Sequence, residues 1–207
     1  MGLDMYMYKV RSNEKGMPRL VEDYTREEAP WYFLEYPDGK RIGVTENYVS
    51  GQGPDRGYWE MSDSAGNVIP RGTYVDRLFN EDFYWRKFNA LHGWMVDNYE
   101  GHNDDCEPHE ITIDTFYKLL DTLQKVSDYK KYLKPVEGEF DYKRVEDKNA
   151  INELNNLFPT TSGFFFGGQD YDNYYFEDVD DTLKNMKATI PEIKNGDVTG
   201  FVYHASW

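Results

Sequence analysis

Residues 81–98 read EDFYWRKFNALHGWMVDN, and at this stretch the spacing of apolar residues along the chain becomes that of a helix. An amphipathic helix repeats its apolar residues at intervals of three and four. The residues with this spacing are Tyr84, Phe88, Leu91 and Met95. The pattern therefore predicts a helix over 81–98 whose apolar stripe faces the core.

The residues before this stretch are patterned as strands. Alternating side-chain chemistry over residues 2–11 predicts an N-terminal strand. The dipeptide Asp38-Gly39 separates two strand-like runs within residues 31–44, which is a strong short-range signal for a β-hairpin. A second hairpin is predicted over residues 58–69.

Two helices are predicted after the stretch. The first begins near Thr112, a favourable N-cap, and its apolar stripe continues to Val126. The second is shorter and uses the apolar residues of 151–157. It stops at Pro159, because proline cannot continue the hydrogen-bond ladder of a helix.

The last third of the chain mixes the two patterns. Residues 162–168 form a strand-sized apolar run with glycines, and we predict that they make a hairpin with the aromatic run 174–176. A further helix is predicted through Val179, Leu183 and Met186, and a final strand over residues 200–206.

The order of these elements predicts an α+β fold, in which an antiparallel sheet packs against three or four helices. Strands followed mainly by helices favour this class over βαβ winding. Because the chain has 207 residues and no convincing linker, residues 1–207 are predicted to be a single domain around one core. Segment 134–148, rich in lysine, glutamate and glycine, is predicted to be the most flexible part.

The charge of the chain limits the classes of partner. It has 38 acidic and 23 basic residues, a formal net charge of −15. Proteins that bind nucleic acid or anionic lipid gain affinity mainly by replacing counterions with lysine and arginine. We therefore expect no direct nucleic-acid partner and no membrane partner. The N-terminus lacks the features of a signal peptide, and the single cysteine, Cys106, agrees with a reducing compartment, so we expect a cytoplasmic protein.

The predicted helix carries a second stripe beside its apolar one. Trp85, Asn89 and His92 lie on this stripe, and Arg86 flanks it. An aromatic ring, an amide, an imidazole and a guanidinium on one helix face could bind a nucleotide, which suggests a small-molecule binding protein or a modest hydrolase. The alternative is that Asn89 and His92 satisfy neighbouring backbone groups while Trp85 packs in the core.

Residues 101–110 combine His102, Cys106 and His109 with four carboxylates. Their spacing matches neither an EF-hand loop nor a Cys/His zinc site. We therefore predict no metal and no other cofactor. The acidic neighbours of Cys106 disfavour a reactive thiolate. Because no catalytic set is recognisable, a protein without enzyme activity is favoured over an enzyme.

Residues 170–181 contain six acidic residues, four aromatic residues and no basic residue. Acidic groups around tyrosines can dock on a basic patch of a protein. The partner-binding residues predicted here are Asp170, Tyr171, Asp172, Tyr174, Tyr175, Glu177 and Asp178. The alternative is that the acids only favour the start of a helix through its dipole.

Four segments are similar to those of a group of uncharacterised phage and prophage proteins. They are MGLDMY at 1–6, YWRK at 84–87 followed by Asn89 and His92, SGFFFG at 162–167 and YHASW at 203–207. The likeness suggests that the face of Trp85, Asn89 and His92 and the predicted hairpin at Gly163, which lie in these segments, line one shared feature.

The resemblance covers residues 1–10 and 82–207 in pieces, so residues 12–80 look like a β-hairpin elaboration. It implies a phage gene but no particular reaction. Phage genes of this size often serve host takeover or evasion of host defences, which favours a protein that acts by binding. We therefore predict an accessory protein whose acidic segment 170–181 engages a host protein that handles nucleic acid.

Overall fold

A computed structural model of the protein describes residues 2–23, 25, 28–49, 58–76 and 81–207. In this part of the chain the strands pair antiparallel in three sheets and are accompanied by α-helices. The predicted α+β class is confirmed.

The elements have the following bounds. In chain order the strands are β1 (Asp4–Arg11), β2 (Arg19–Glu22), β3 (Tyr32–Glu35), β4 (Arg41–Val49), β5 (Tyr58–Ser62), β6 (Val68–Ile69), β7 (Phe83–Arg86), β8 (His109–Ile111), β9 (Leu133–Pro135), β10 (Lys143–Val145) and β11 (Val198–Ser206). The α-helices are α1 (Asn89–Asn98), α2 (Ile113–Ser127), α3 (Lys148–Leu157) and α4 (Asn173–Lys194), and 3₁₀ turns cover Ser12–Glu14 and Asp128–Tyr132.

A four-stranded sheet in the order β7-β1-β11-β8 organises the larger of two compact units, Met1–Ser12 with Asp82–Trp207. Its register pairs Met5 of β1 with Trp85 on one side and Ala205 on the other. All three side chains are buried and share one core with residues of the helices. The helices therefore cover this face of the sheet.

Helix α2 is the clearest case in which local sequence determines an element. The Thr112 hydroxyl accepts a hydrogen bond from the backbone N–H of Thr115 at 3.1 Å, so it is the N-cap that was predicted. Its apolar stripe is buried, and Phe116 stacks on Phe201 of β11 with ring centroids 4.5 Å apart. Losing such a cap typically costs about 1 kcal/mol.

Helices α3 and α4 and the last strand also lie where the sequence predicts them. Asp147 caps α3, which ends at Leu157 before the proline. Helix α4 runs through the predicted positions 179–186 but is longer, and β11 includes the predicted strand 200–206.

The prediction of a helix across 81–98 is wrong in its first half. Phe83–Arg86 pair with β1 as a strand, and α1 begins only at Asn89. Between them, Lys87 has a left-handed backbone with φ 60°. This residue turns the chain from strand to helix.

The predicted hairpin between 162–168 and 174–176 is also wrong. Residues 162–170 form a loop with a turn at 164–165, and the aromatic run is the first turn of α4. The reason is a local cap, because the Asp172 carboxylate accepts a hydrogen bond from the backbone N–H of Tyr175 at 2.9 Å.

The second compact unit, Asn13–Glu81, is a meander of five strands in the order β2-β3-β4-β5-β6. Both predicted hairpins occur in it, as β3 with β4 and β5 with β6. It has a core of its own, which contains Leu20, Leu34, Val44, Met61 and Tyr74.

The structure therefore has two hydrophobic cores in its described residues where the sequence predicted one. The second core belongs to the segment 12–80 that was predicted to be an elaboration. That both units belong to one domain stays a prediction. Within segment 134–148, β9 and β10 pair as a short hairpin, and its predicted flexibility stays a prediction.

Candidate functional site

A buried amide in the first turn of α1 holds the loop that follows α3. Asn89 is 4% exposed. Its Nδ2 donates to the carbonyl oxygens of Phe166 and Gly168, at 3.2 and 2.7 Å, and its Oδ1 accepts from the backbone N–H of Thr161 at 3.0 Å. Both N–H groups and the oxygen are thus used inside the protein, so Asn89 positions the loop.

A buried imidazole lies one turn further along α1. His92 is 2% exposed, its Nδ1 lies 2.9 Å from the Tyr203 hydroxyl, and its Nε2 lies 3.0 Å from Oδ1 of Asp104. Burial lowers the pKa of His92, although the Asp104 carboxylate opposes this effect. The neutral ring therefore donates from Nε2 to Asp104 and accepts from Tyr203.

Asn89, His92 and the glycine-rich loop meet, whereas Trp85, which the resemblance placed in the same feature, donates its indole N–H to Thr182 of α4. The His92 ring packs edge-on against Phe166, with ring centroids 5.2 Å apart. Gly163 belongs to the same contact, because a Cβ there would lie 2.5 Å from the Phe166 ring. The shared feature is a fixed loop, in which the Asn89 amide uses all its hydrogen-bonding groups inside the protein.

The remaining two residues of the predicted ligand-binding face lie on β7. The Trp85 indole N–H donates to the Thr182 hydroxyl at 2.8 Å within the core. The Arg86 guanidinium is more than half exposed, 3.6 Å from the Asp4 carboxylate. The premise that Trp85, Arg86, Asn89 and His92 share one helix face is therefore wrong, because the first two alternate across a strand.

The polar cluster at 102–109 is held by one pair within it and by bonds to α1, where Asp104 contacts His92 and His102 contacts the Val96 carbonyl. Nε2 of His109 lies 2.8 Å from the Asp105 carboxylate, and the His109 ring stacks on Tyr99 at 3.9 Å. Cys106 is exposed. The crevice beside these residues has a volume of about 10 Å³, which is the lower limit for one water molecule. Among the described residues no group of histidine, cysteine and carboxylate side chains is arranged to hold a metal.

The acidic segment 170–181 divides into structural and exposed residues. Tyr171 and Tyr175 are each 6% exposed, and their hydroxyls donate to the Asn155 side chain and to the carbonyl oxygen of Phe158. Asp172 caps α4. These three predicted partner-binding residues hold the fold together, and the two tyrosines offer little surface to a partner.

Four other residues of the segment lie along one stripe of α4. Positions 174, 177, 178 and 181 follow the spacing of a single helix face. Tyr174 is 61% exposed, Glu177 and Asp181 are exposed, and Asp178 is half-buried. The carboxylates predicted to bind a partner therefore lie together beside an exposed aromatic ring.

The β9–β10 hairpin adds to this stripe. The Tyr142 hydroxyl donates to Asp170 at 3.1 Å, its ring centroid lies 6.5 Å from that of Tyr174, and Lys143 N–H donates to the Asn173 side chain at 2.9 Å. These contacts fasten the hairpin to the start of α4.

The tip of that hairpin is itself acidic and aromatic. Phe140 is 94% exposed, and the acids on either side of it are exposed as well. We call the combined surface the acidic face, which consists of Glu137, Glu139, Phe140, Asp141, Asp170, Tyr174, Glu177, Asp178 and Asp181. The sequence prediction missed the hairpin, although the alternation of acids and aromatics in residues 139–142 was a visible signal.

Asp178 is the partly buried carboxylate of the acidic face, whose other acids are exposed. Burial, followed by the charges of Asp181, Glu177 and Asp172, raises the pKa of Asp178 from 3.8 to about 7. In the described part of the chain no donor is bonded to its carboxylate, so its charge has no internal compensation. Crowded acids of this kind favour the approach of a cation.

We expect Asp178→Asn to stabilise the protein at neutral pH. A carboxyl group whose pKa is raised by folding binds more protons in the native state. Its contribution to stability is complete below pH 3.8 and is lost as pH rises through about 7. Since the side chain is only partly buried and water screens its charge, the variant should gain only about 1–2 kcal/mol at pH 8.

Chemical denaturation of wild type and Asp178→Asn at several pH values measures this effect. The difference in unfolding free energy should grow between pH 4 and pH 7 and then level off. A difference that is constant over this range would contradict the account of Asp178.

Comparison of the chain with protein-family models, curated proteins and solved structures finds no match. Of the helices in residues 2–207 that the structure describes, none has the length and apolarity to cross a membrane.

Proposed function

We propose that the protein acts by binding a basic partner protein through the acidic face. The observation that carries the proposal is Asp178, a half-buried carboxylate among other acids with no bonded donor in the described residues. A lysine or arginine side chain from a partner would place a positively charged hydrogen-bond donor beside the Asp178 carboxylate. Binding would therefore lower the pKa of Asp178 and relieve the repulsion around it.

The exposed aromatic rings of the acidic face would add binding energy to the charge complementarity. Surface charges mainly set association rate and specificity, whereas aromatic anchors supply most binding energy. Phe140 and Tyr174 are 94% and 61% exposed. The partner surface that complements the acidic face is therefore basic, with apolar recesses for the two rings.

The proposed partner is a host protein that handles nucleic acid, because such proteins carry basic surfaces to hold phosphate. In this proposal the protein is a phage-encoded accessory factor, working in the host cytoplasm in takeover or anti-defence. The charge of −15 supports a protein partner over a direct nucleic-acid one. The contacts of Asn89 and His92 do not favour the alternative of a nucleotide site.

Affinity capture from host lysate tests the proposal. Immobilised full-length protein should retain a basic host protein at about 0.05 M salt and release it at about 1 M, where the screening length falls to roughly 3 Å. Failure to retain any host protein at low salt, or retention that is insensitive to salt, would count against a charge-driven complex.

A further inference from the structure

The loop after α3 presents two phenylalanine side chains to solvent at one turn. Phe164 is 81% exposed and Phe165 is 47% exposed, with ring centroids 4.2 Å apart. We call residues 163–166 the Phe turn. Neither ring is needed to fill the core, which the neighbouring Phe166 already enters.

The Phe turn is held in one conformation. Asn89 bonds the backbone on both sides of it, at Thr161 and at Gly168. Phe165 has φ 70°, a left-handed conformation that costs a bulky residue about 1–2 kcal/mol. Strain at an exposed, non-glycine position is characteristic of functional surfaces rather than of stabilising ones.

The exposed area indicates what kind of surface would cover the turn. Taking about 200 Å² for a whole phenylalanine side chain, the two rings expose roughly 250 Å². A stable interface between two copies of a protein needs about 800 Å² from each. The turn is therefore too small to be a dimer interface by itself, and it has the size of an anchor that fills a pocket.

A lysine beside the Phe turn indicates the charge that the rim of such a pocket would carry. A Cβ at Gly167 would lie 3.2 Å from Cβ of Lys87, so this exposed lysine borders the turn. An apolar wedge next to a cation could also insert into an anionic membrane. The net charge of −15 opposes an extended anionic surface, because repulsion then acts on the whole protein, whereas a rim of a few acidic groups interacts mainly with the charge within one screening length, that of Lys87.

We infer that the Phe turn is a second interaction site, which inserts Phe164 and Phe165 into an apolar pocket of a protein whose rim carries acidic groups. The inference does not rest on the acidic face, since it uses a separate set of residues and contacts. The turn is prepared for binding because its conformation is already fixed.

Site-specific photo-crosslinking identifies the occupant. The full-length protein with Phe164→p-benzoylphenylalanine is irradiated in host cells, beside a control with the same residue at Val68, which is 54% exposed in the other unit. The expected result is one crosslinked host protein that is specific to position 164. A crosslink to a second copy of the chain, or none, would overturn the inference.

Titration with that crosslinked protein, produced separately, completes the test. Phe164→Ala should weaken its binding about tenfold or more, whereas Val68→Ala should not. Both variants should keep the wild-type Tm within about 2 °C, because the removed side chains are exposed. An unchanged Kd for Phe164→Ala, or retention of the wild type on phosphatidylglycerol vesicles that Phe164→Ala loses, would contradict a protein pocket.

Glu177→Lys/Asp181→Lys in the same titration separates this inference from the proposed function. Loss of affinity in that variant alone would support the acidic face and refute the Phe turn. Loss in Phe164→Ala alone would do the reverse.

Discussion

Replacing Asn89 with alanine is expected to lower the free energy of unfolding by about 3 kcal/mol and Tm by roughly 10 °C. The side chain makes three hydrogen bonds to the backbone at Thr161, Phe166 and Gly168. Its removal leaves those groups without partners, one of them in a buried and two in partly buried hydrogen bonds. Thermal and denaturant unfolding of the full chain measure the loss.

Asn149→Ala is the matched control for this prediction. Asn149 lies exposed on α3, and surface substitutions of this kind usually stay within about 0.5 kcal/mol. An equal loss in both variants, or none in Asn89→Ala, would show that Asn89 does not hold the loop.

Replacing Gly93 with alanine should destabilise the protein by about 2 kcal/mol, although alanine is normally the better helix former. A Cβ at Gly93 would lie 2.0 Å from Oγ1 and 3.1 Å from Cβ of Thr161. The steric overlap exceeds the gain of roughly 1 kcal/mol in helix propensity. α1 therefore needs a glycine where the loop crosses it.

A double-mutant cycle tests the cause. In a Thr161→Ala background the overlapping hydroxyl is absent and only the 3.1 Å approach to Cβ of residue 161 remains, so the loss caused by Gly93→Ala should become much smaller. Equal losses in both backgrounds would mean that Thr161 is not the obstacle.

The helices that the sequence predicts correctly are those whose signals are local. In α2 and α3 the cap residue, the apolar stripe and the stop lie within one segment. The two hairpins of the smaller unit are similar, because Asp38-Gly39 and the residues around Gly66 set their turns locally. No contact from elsewhere in the chain is needed to find these elements.

Strand β7 could not be found in this way. Phe83 and Trp85 alternate as in a strand, yet Tyr84 and Phe88 also fit the stripe of α1. Periodicity alone does not separate the two for so short a run. Residues 83–86 form a strand because they pair with β1, nearly eighty residues earlier. Predicting a helix there placed Trp85 and Arg86 on the wrong element.

The sequence revealed the acidic and aromatic residues of segment 170–181 but not how the structure arranges them. The charges of 170–181 were visible, yet placing the start of α4 too late concealed that Tyr171 and Tyr175 point into the core. The contribution of the β9–β10 hairpin depends on contacts such as that of Tyr142 with Asp170, which lie 28 residues apart.

The most direct test of the acidic face compares two charge reversals against the captured partner. Glu177→Lys/Asp181→Lys lies within the face, and Asp97→Lys/Glu107→Lys, also at exposed acids, lies outside it. Each pair changes two residues by two charge units and takes the net charge from −15 to −11.

The Kd of each variant is measured at about 0.1 M salt, where the screening length is roughly 10 Å and local charge dominates. The proposed function predicts that Glu177→Lys/Asp181→Lys weakens binding about tenfold or more, while Asp97→Lys/Glu107→Lys stays within about threefold of wild type. Equal weakening in both variants, or unchanged binding in the first, would contradict the acidic face as the partner-binding surface.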